Sequence, residues 1–363
     1  MRVLQIGLSK NPGGIETLIM TYFRQLVHKD IVFDFIDIYG DGLAFDNEIQ
    51  SLGGKIYHTP NYKKHPIKAR RAISKIINDN EYKVIHVNML SAANLLPLIV
   101  AKRAGCIVFA HSHNSSVEGF LRAFLHNRNL HKLRRMNVVR LACGKAAGEW
   151  MWGDLEYEII PNAIIADKFS FSASNRQQIR NMLDIAKNDF VIGFVGRLAA
   201  QKNPFYLVDI ICAVKQRAKR NIKLLIVGDG VLRNDVLLYA TERSVIKDIV
   251  FVGSQNDTSV YYSAMDCFVL PSLYEGFPIV GVEAQANGLP CFVSEYVTHD
   301  IKIADSLRFL SLDNGANNWA NAIVSVVDKY DVFERINNIK GTQYDSDVSA
   351  TKLSDVYWLA EKI

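Results

Sequence analysis

Residues 267–286 have the sequence CFVLPSLYEGFPIVGVEAQA, which is the most informative stretch of the chain for predicting the fold. The stretch starts with a short apolar run, Cys267–Leu270, that is typical of a buried strand. A Gly-Phe-Pro turn follows at 276–278, and a mostly apolar stretch of helical length begins beside Pro278. Because a proline near the first helical position loses no hydrogen bond, this order predicts a strand, a loop and a helix.

The same alternation runs along the whole chain. Short runs rich in Val, Ile or Phe are separated by amphipathic segments of helical length such as Ile15–Val27. Repeated strand–helix–strand units predict parallel sheets that are covered by helices on both faces. The predicted strands are Val3–Ile6, Phe33–Ile38, Val84–Val87, Ile107–Ala110 and Val139–Ala142 in the first half, and Phe190–Val195, Lys223–Val227, Ile249–Val252, Cys267–Leu270 and Pro290–Val293 in the second.

The length of 363 residues is enough for two domains that each bury a core. The strand pattern restarts near residue 190, after the polar stretch Ser170–Arg180, which puts the boundary near 165–170. We therefore expect residues 1–168 and residues 169–345 to form one domain each, with residues 346–363 as a helix that packs back on the first. In such folds ligands bind at the carboxyl ends of the strands, so the cleft between the domains is the expected site.

Composition narrows the class of protein. The chain is 49% hydrophobic and 22% charged, which excludes a disordered protein. The five cysteines are scattered without a Cys-x-x-Cys pair, which favours reduced thiols. We find no signal-peptide pattern and no apolar stretch that could span a bilayer, and so expect a cytoplasmic protein that meets a membrane only at its surface.

Positive charge is concentrated in the first half, where residues 1–165 carry 21 Lys and Arg against 14 Asp and Glu. The segment 119–148 has seven basic side chains and no acidic one, interleaved with Phe and Leu. This pattern predicts either a basic helix that lies in an anionic membrane interface or a solvated helix on the surface of the protein. Nucleic acid is not expected as a partner, since no recognition motif accompanies the charge.

Charged residues follow two strands of the second half. Arg197 and Lys202 lie just after the strand that ends at Val195, and an Arg fork with a Lys point charge suits a diphosphate leaving group. Glu275 and Glu283 fall on the loop and the helix of the opening stretch. Carboxylates there either accept hydrogen bonds from the hydroxyls of a sugar and a ribose, or are solvated acids of the kind that helix starts attract.

These motifs together carry a family resemblance. The pattern Gly196-Arg197-x-x-x-x-Lys202 with Pro271-Ser272-x-x-Glu275-Gly276-Phe277-Pro278-x-x-x-x-Glu283-Ala284 resembles family 4 of the retaining glycosyltransferases. The likeness extends to Gly13-Gly14-Ile15-Glu16, Ile160-Pro161-Asn162 and Gly228-Asp229-Gly230, so it spans nearly the whole chain. It implies an α/β protein of the GT-B fold, with two Rossmann-like doubly wound domains facing a central cleft.

The resemblance also implies a role for each matching residue. Arg197 and Lys202 would hold the donor diphosphate, while Glu275 would bind the transferred sugar and Glu283 the ribose. Gly14 would let the first loop approach the diphosphate, where a side chain would collide. The implied donor-binding residues are Gly13, Gly14, Gly196, Arg197, Lys202, Gly253, Ser254, Gln255, Glu275, Gly276, Phe277, Ile279, Val280 and Glu283.

Two departures from the family pattern bear on the site. The junction has Ala163 where the family commonly has Gly after Pro-Asn, which is a minor difference. The histidine that would face the donor sugar has two candidates, His111 and His113, in the sequence His-Ser-His-Asn. The implied catalytic residues are His111, His113, Arg197, Lys202 and Glu275.

The resemblance therefore implies a retaining hexosyltransferase that uses a nucleoside-diphosphate sugar, with UDP preferred, and acts on a glycan or lipid-linked saccharide in surface or exopolysaccharide biosynthesis. No cofactor and no metal are expected. Asp345-Ser346-Asp347 lies far from any strand end, and Gly228-Asp229-Gly230 lacks the third glycine of the NAD fingerprint. The alternatives are a GT-B epimerase or hydrolase that needs no acceptor, and an inactive nucleotide-sugar-binding subunit of a polysaccharide-assembly complex.

Overall fold

The computed structural model describes residues 1–11, 13–117, 119–327 and 334–362. They form two compact units, one of residues 1–163 with 343–363 and one of residues 164–342. Each unit is built on one parallel sheet that is packed with helices, which confirms the predicted α/β architecture. All ten predicted strands are present, with bounds that shift by a residue or two.

The first unit contains a seven-stranded sheet with the strand order β3-β2-β1-β4-β5-β6-β7. Apolar side chains cover both of its faces in two separate clusters. The strands are β1 (Arg2–Ile6), β2 (Val32–Asp37), β3 (Ile56–His58), β4 (Val84–Met89), β5 (Ile107–Ser112), β6 (Val139–Ala142) and β7 (Glu158–Ile159). The helices are α1 (Gly14–Leu26), α2 (Asp46–Ser51), α3 (Pro66–Asp79), α4 (Leu96–Arg103), α5 (Phe120–Arg134) and α6 (Lys145–Trp152).

The second unit contains a six-stranded sheet with the order β10-β9-β8-β11-β12-β13. Its strands are β8 (Phe190–Val195), β9 (Ile222–Val227), β10 (Ile249–Gly253), β11 (Cys267–Leu270), β12 (Cys291–Ser294) and β13 (Leu307–Leu310). Its helices are α7 (Ala173–Met182), α8 (Pro204–Lys215), α9 (Arg233–Glu242), α10 (Ser259–Ala264), α11 (Ile279–Ala286) and α12 (Gly315–Val327). Because β8 and β11 are parallel neighbours, the loops that follow them lie side by side.

The last helix, α13 (Ser346–Glu361), belongs to the first unit and packs against α1. Its Tyr357 is fully buried, with its ring centroid 4.9 Å from that of Phe109 and 6.3 Å from that of Phe33. The chain therefore crosses between the units twice.

The two crossings lie five and three residues before the expected boundaries at 168 and 345. The segment after residue 163 belongs to the second unit because Asn337 ties it there. The Asn337 side-chain amide donates hydrogen bonds to the carbonyl oxygen of Ala166 and to Ser170 Oγ, each at 2.8 Å. No local composition signal marks a boundary that is set by such a distant contact.

The sequence analysis did not predict β3, β7 and β13. All three lie at the edge of a sheet, and none is longer than four residues. Edge strands bury fewer side chains than central ones and so carry a weaker apolar signal.

Candidate functional site

Two loops of the second unit carry the charged residues that the sequence analysis selected. One follows β8 and includes Arg197 and the short 3-10 helix Ala200–Lys202, and the other follows β11 and includes Glu275. Lys202 Nζ lies 2.5 Å from Glu275 Oε1, and both side chains are largely buried. The structure therefore pairs two residues to which we assigned separate ligand groups.

The two loops are joined by hydrogen bonds that also orient Glu275. The Leu273 N–H donates to the Gln201 carbonyl oxygen at 2.8 Å, and Gln201 Nε2 donates to the Tyr274 carbonyl oxygen at 3.0 Å and to Glu275 Oε2 at 3.3 Å. Ser272 Oγ donates to Glu275 Oε1 at 2.9 Å. Both carboxylate oxygens are thus held by the protein. Ser272 belongs to the recognised motif, but its contact and that of Gln201 appear only in three dimensions.

Arg197 differs from Lys202 in its environment. Its side chain is exposed, and it has no hydrogen-bond or ion-pair partner among the residues that the structure describes. A guanidinium without a counterion, next to a buried ion pair, leaves net positive charge at the carboxyl ends of β8 and β11.

The motif Gly228-Asp229-Gly230 supports the loop of Arg197. The Leu198 N–H donates to the Asp229 carbonyl oxygen at 3.0 Å, and a Cβ atom on Gly228 would lie 2.0 Å from the carbonyl oxygen of Gly196. Gly228 also has φ +137°, which L side chains rarely adopt. A Cβ atom on Gly230 would lie 2.3 Å from the carbonyl oxygen of Leu198. These glycines therefore allow two loops to touch.

Glu283 lies on α11 and is partly buried. Tyr262 of α10 donates a hydrogen bond from Oη to Glu283 Oε2 at 2.6 Å. Burial raises the pKa of Glu283 to about 7, although the Tyr262 hydrogen bond and the charge of Lys168 oppose the rise. This carboxyl group therefore changes charge near neutral pH. Tyr262 carries no sequence signal, because its role depends on how α10 packs on α11.

The remaining predicted residues of this unit surround the same edge of the sheet. The helix α11 starts after Pro278, and within the described residues no side chain caps its first turn. The Gly228 N–H donates to the Gly253 carbonyl oxygen at 2.9 Å, which brings the loop after β10 next to the loop after β9. Ser254 and Gln255 follow on the surface. Gly276, Phe277, Ile279 and Val280 form the turn into α11 and its first two positions.

In the first unit, Gly13 and Gly14 form the N-cap and the first residue of α1. Glu16 braces this turn, since its Oε1 accepts hydrogen bonds from the Ser9 N–H and from Ser9 Oγ, both at 2.9 Å. A Cβ atom on Gly13 would lie 2.9 Å from Glu16 Oε2, whereas one on Gly14 would meet nothing of the described chain within 4 Å. A side chain at position 13 would displace the Glu16 carboxylate, whereas packing within the unit gives no reason for a glycine at position 14.

His111 and His113 lie on the same face at the carboxyl end of β5, with ring centroids 4.0 Å apart. His111 is fully buried, and His113 is partly exposed. His113 Nε2 lies 2.9 Å from Asn88 Oδ1, and Asn88 Nδ2 donates to Gln5 Oε1 at 3.0 Å. Because the Asn88 oxygen faces His113, His113 must donate from Nε2. Its Nδ1 is then an acceptor, and it has no partner in the described structure.

The hydrogen bonds continue to the last helix and return to β5. Gln5 Nε2 lies 3.3 Å from Tyr357 Oη, which lies 2.5 Å from His86 Nδ1. His86 Nε2 lies 3.2 Å from His111 Nδ1. The buried Tyr357 hydroxyl finds an acceptor of its own when Gln5 donates to Tyr357, Tyr357 donates to His86 Nδ1 and His86 donates from Nε2 to His111 Nδ1. In that arrangement His111 holds its proton on Nε2, which makes no well-aligned hydrogen bond within the described residues, while the backbone of Ile160 and Ala142 interacts with this imidazole.

All three imidazoles in this network are neutral at ordinary pH. Burial lowers the pKa of His86 and that of His113 to about 3, and it lowers the pKa of His111 well below its usual range. The two candidates therefore differ in their environment. His111 is fully buried on β5, while His113 follows the last residue of β5 and is partly exposed.

The Asp-x-Asp sequence at 345–347 has a structural position at the start of α13. The Asp345 carboxylate caps this helix by accepting the Asp347 N–H at 3.4 Å. In the part of the chain that the structure describes, no group of three or more His, Cys, Asp or Glu side chains could hold a metal ion. Over the same residues, no helix has the length and apolar character needed to cross a membrane.

The chain is similar in sequence and in fold to known glycosyltransferases. The model of the glycosyl transferases group 1 matches residues 175–338. The proposed glycosyltransferase EpsF of Bacillus subtilis is 32% identical over 336 residues, which cover 89% of this chain and 86% of EpsF. The UDP-Gal:alpha-D-GlcNAc-diphosphoundecaprenol alpha-1,3-galactosyltransferase of Escherichia coli is 30% identical over 280 residues, 72% of this chain and 70% of that enzyme. The structure of Anabaena HepE in complex with UDP and glucose has the same fold, with a TM-score of 0.76, 18% identity and 99% of both chains covered.

Proposed function

The chain belongs to the group 1 glycosyltransferases and has the GT-B fold, and we propose that it transfers a hexosyl sugar from a UDP-sugar to a hydroxyl group with retention of the anomeric configuration. The proposed acceptor is a glycan or a lipid-linked saccharide in surface or exopolysaccharide biosynthesis. The observation that carries the proposal is the unpaired Arg197 beside the Lys202–Glu275 ion pair, at the carboxyl ends of β8 and β11. The lipid-linked substrate named for the Escherichia coli relative supports this acceptor class.

The reaction breaks the bond between the anomeric carbon and the diphosphate oxygen, and forms a bond from the same carbon to the acceptor oxygen. The acceptor attacks on the face that the diphosphate leaves, and its proton passes to the departing phosphate oxygen. Negative charge grows on the diphosphate as it leaves. Arg197, Lys202 and the first N–H groups of α11 would stabilise that charge. We propose that these groups act without a metal and that the enzyme has no further cofactor.

The acidic residues would bind hydroxyl groups of the donor. A diphosphate at Lys202 would share the ammonium with Glu275, which frees a carboxylate lone pair for a sugar hydroxyl. Glu283 would accept hydrogen bonds from the ribose, most strongly above pH 7, where it is ionised. We propose His113, and not His111, for the donor sugar, because His113 lies at the end of β5 and is partly exposed. Its unpartnered Nδ1 is itself buried in the described structure.

We also propose peripheral contact with the cytoplasmic face of an anionic membrane. The N-terminal end of α5 exposes Phe120, Leu121 and Phe124 next to Arg122. Exposed aromatic and basic side chains together bind an anionic interface. Cosedimentation with phosphatidylglycerol vesicles, and none with phosphatidylcholine vesicles, is the expected result. Equal binding to both would contradict it.

The catalytic proposal is tested with UDP-sugars, a panel of saccharide and lipid-linked acceptors, and analysis of the product anomer by NMR. Arg197→Ala and Lys202→Ala should each lower turnover by on the order of a hundredfold, the effect of losing one charged contact in the transition state. Arg217→Ala is the matched control, since Arg217 follows α8 and bonds to Asn317 and Asn321. Donor consumption without an acceptor would indicate a hydrolase or epimerase, and UDP binding without any transfer would indicate a binding subunit.

A further inference from the structure

The first unit contains a cavity of about 950 Å³ at the carboxyl ends of β1 and β4. Gly7 and Asn88 form part of its lining, and further residues come from the segments that follow β2 and β3 and from the start of α5. The volume falls in the range of sites for small-molecule ligands. Asn88 connects the cavity to His113 through the 2.9 Å hydrogen bond, so a ligand here would lie close to the candidate catalytic histidine.

Two cations line the cavity without a counterion. Lys63 Nζ lies 5.8 Å from the ring centroid of Tyr39 and 6.0 Å from that of Tyr62. Arg122 acts on the same two tyrosines: burial raises the pKa of Tyr62 to about 12, and the charge of Arg122 opposes that rise, as it does at Tyr39. Neither cation has an ion-pair partner among the described residues, and none of the described lining residues is acidic. The carboxylates of Glu16 and Asp37 also act on Tyr39, but they do not line the cavity. Both cationic side chains are exposed to solvent, and two cations on the wall of one cavity favour an anion there.

The same cavity has an apolar rim. Phe120 is 90% exposed and Leu121 is 70% exposed, and both line the cavity with Leu125. Large exposed apolar side chains at the mouth of a pocket mark a surface that binds an apolar group. A neutral free oligosaccharide has no charge to pair with the two cations and no extended apolar group for the rim. An amphiphile with an anionic head would use both.

We propose that this cavity binds the acceptor as a polyprenyl-diphosphate-linked saccharide, with the diphosphate between Lys63 and Arg122 and the first isoprenoid units against Phe120 and Leu121. The inference rests on the proposed transferase activity and names the acceptor class for it. It also gives the exposed end of α5 a specific ligand in addition to general attraction to a membrane.

The test uses calorimetric titration of the full chain, first with UDP and then, with the donor site saturated by UDP, with decyl diphosphate below its micellar concentration. Lys63→Ala and Arg122→Ala should each weaken decyl diphosphate binding at least about tenfold, the effect of losing a charge-assisted contact. Arg128→Ala is the matched control, because Arg128 lies on α5 outside the cavity lining. The double variant Phe120→Ser with Leu121→Ser should weaken decyl diphosphate and leave inorganic diphosphate unchanged.

UDP affinity should be the same in all of these variants. The inference is overturned if uncharged decyl glucoside binds as tightly as decyl diphosphate, or if Arg128→Ala weakens binding as much as Arg122→Ala does. Wild-type protein that binds UDP and not decyl diphosphate would refute this inference alone. Protein that fails to bind UDP would refute the proposed function, whatever the result with decyl diphosphate.

Discussion

Glu283→Gln should stabilise the second unit and weaken the binding of UDP, and the stability gain should depend on pH. Burial raises the pKa of this carboxyl group from 4.5 to about 7. The folded protein therefore binds the proton more tightly than the unfolded chain does. The stability that comes from this group is fully present below pH 4.5 and is lost as the pH rises through 7. Glutamine cannot ionise and keeps an oxygen for the Tyr262 hydroxyl.

The size of the effect follows from the shift. At about 1.4 kcal/mol for each unit of pKa, ionised Glu283 costs the folded unit at most about 3.5 kcal/mol, and partial exposure to solvent reduces that figure. For a unit of this size the gain corresponds to roughly several degrees in melting temperature. At pH 8 the variant should thus melt well above the wild type, and at pH 4.5 the two should melt together.

Scanning calorimetry at both pH values measures the gain, and calorimetric titration at pH 8 measures UDP binding. Loss of a charged acceptor for the ribose should weaken UDP by roughly tenfold or more. Glu242→Gln, at an exposed carboxylate on α9, is the control and should change neither quantity. This prediction depends on the ionisation of a buried carboxyl group. It is refuted if the melting temperatures of Glu283→Gln and wild type differ by the same amount at pH 4.5 and at pH 8.

Three further predictions concern backbone contacts and the buried network. Gly228→Ala should lower the melting temperature by several degrees or prevent folding, because its Cβ would lie 2.0 Å from a backbone oxygen. Gly14→Ala has open space around its Cβ, so it should leave the melting temperature nearly unchanged and weaken only donor binding. Tyr357→Phe leaves His86 Nδ1 without its donor, so it should cost about 1–3 kcal/mol of stability by denaturant unfolding and change the tautomer of His86 in nitrogen-15 NMR of labelled histidines. Since burial lowers the pKa of His113 to about 3, the pH profile of kcat should show no limb near 6.5, and such a limb that disappears in His113→Gln would contradict this.

The sequence could predict those site residues that directly follow a recognisable strand. Val195 and Leu270 each end a buried strand, and polar residues follow both of them at once. The sequence could place Arg197 and Glu275 at the same edge of one sheet, because parallel strands carry their following loops to the same side. It could not show that Lys202 pairs with Glu275, since that contact depends on how two loops fold over each other.

The two histidines show the same limit. His111 and His113 are two residues apart on a strand, so they face the same side and the pattern cannot separate them. What separates them is their partners: His113 contacts Asn88 of β4, whereas His111 contacts His86 of β4, which in turn contacts Tyr357 of the last helix. Each of these partners comes from another part of the chain.

The features that the sequence alone predicts are those that depend on residues close together in the chain. The period of apolar side chains and the turn residues predict the strands and helices. The charged residues that follow the strands predict which loops carry the chemistry. Long-range contact set the rest. Burial and neighbours that are distant in sequence decide whether Glu283 is charged at neutral pH and which nitrogen of His113 holds the proton. They also decide whether Lys63 and Arg122 line the same cavity. Desolvation and hydrogen-bond direction arise only when those neighbours pack together, and so only the tertiary structure decides them.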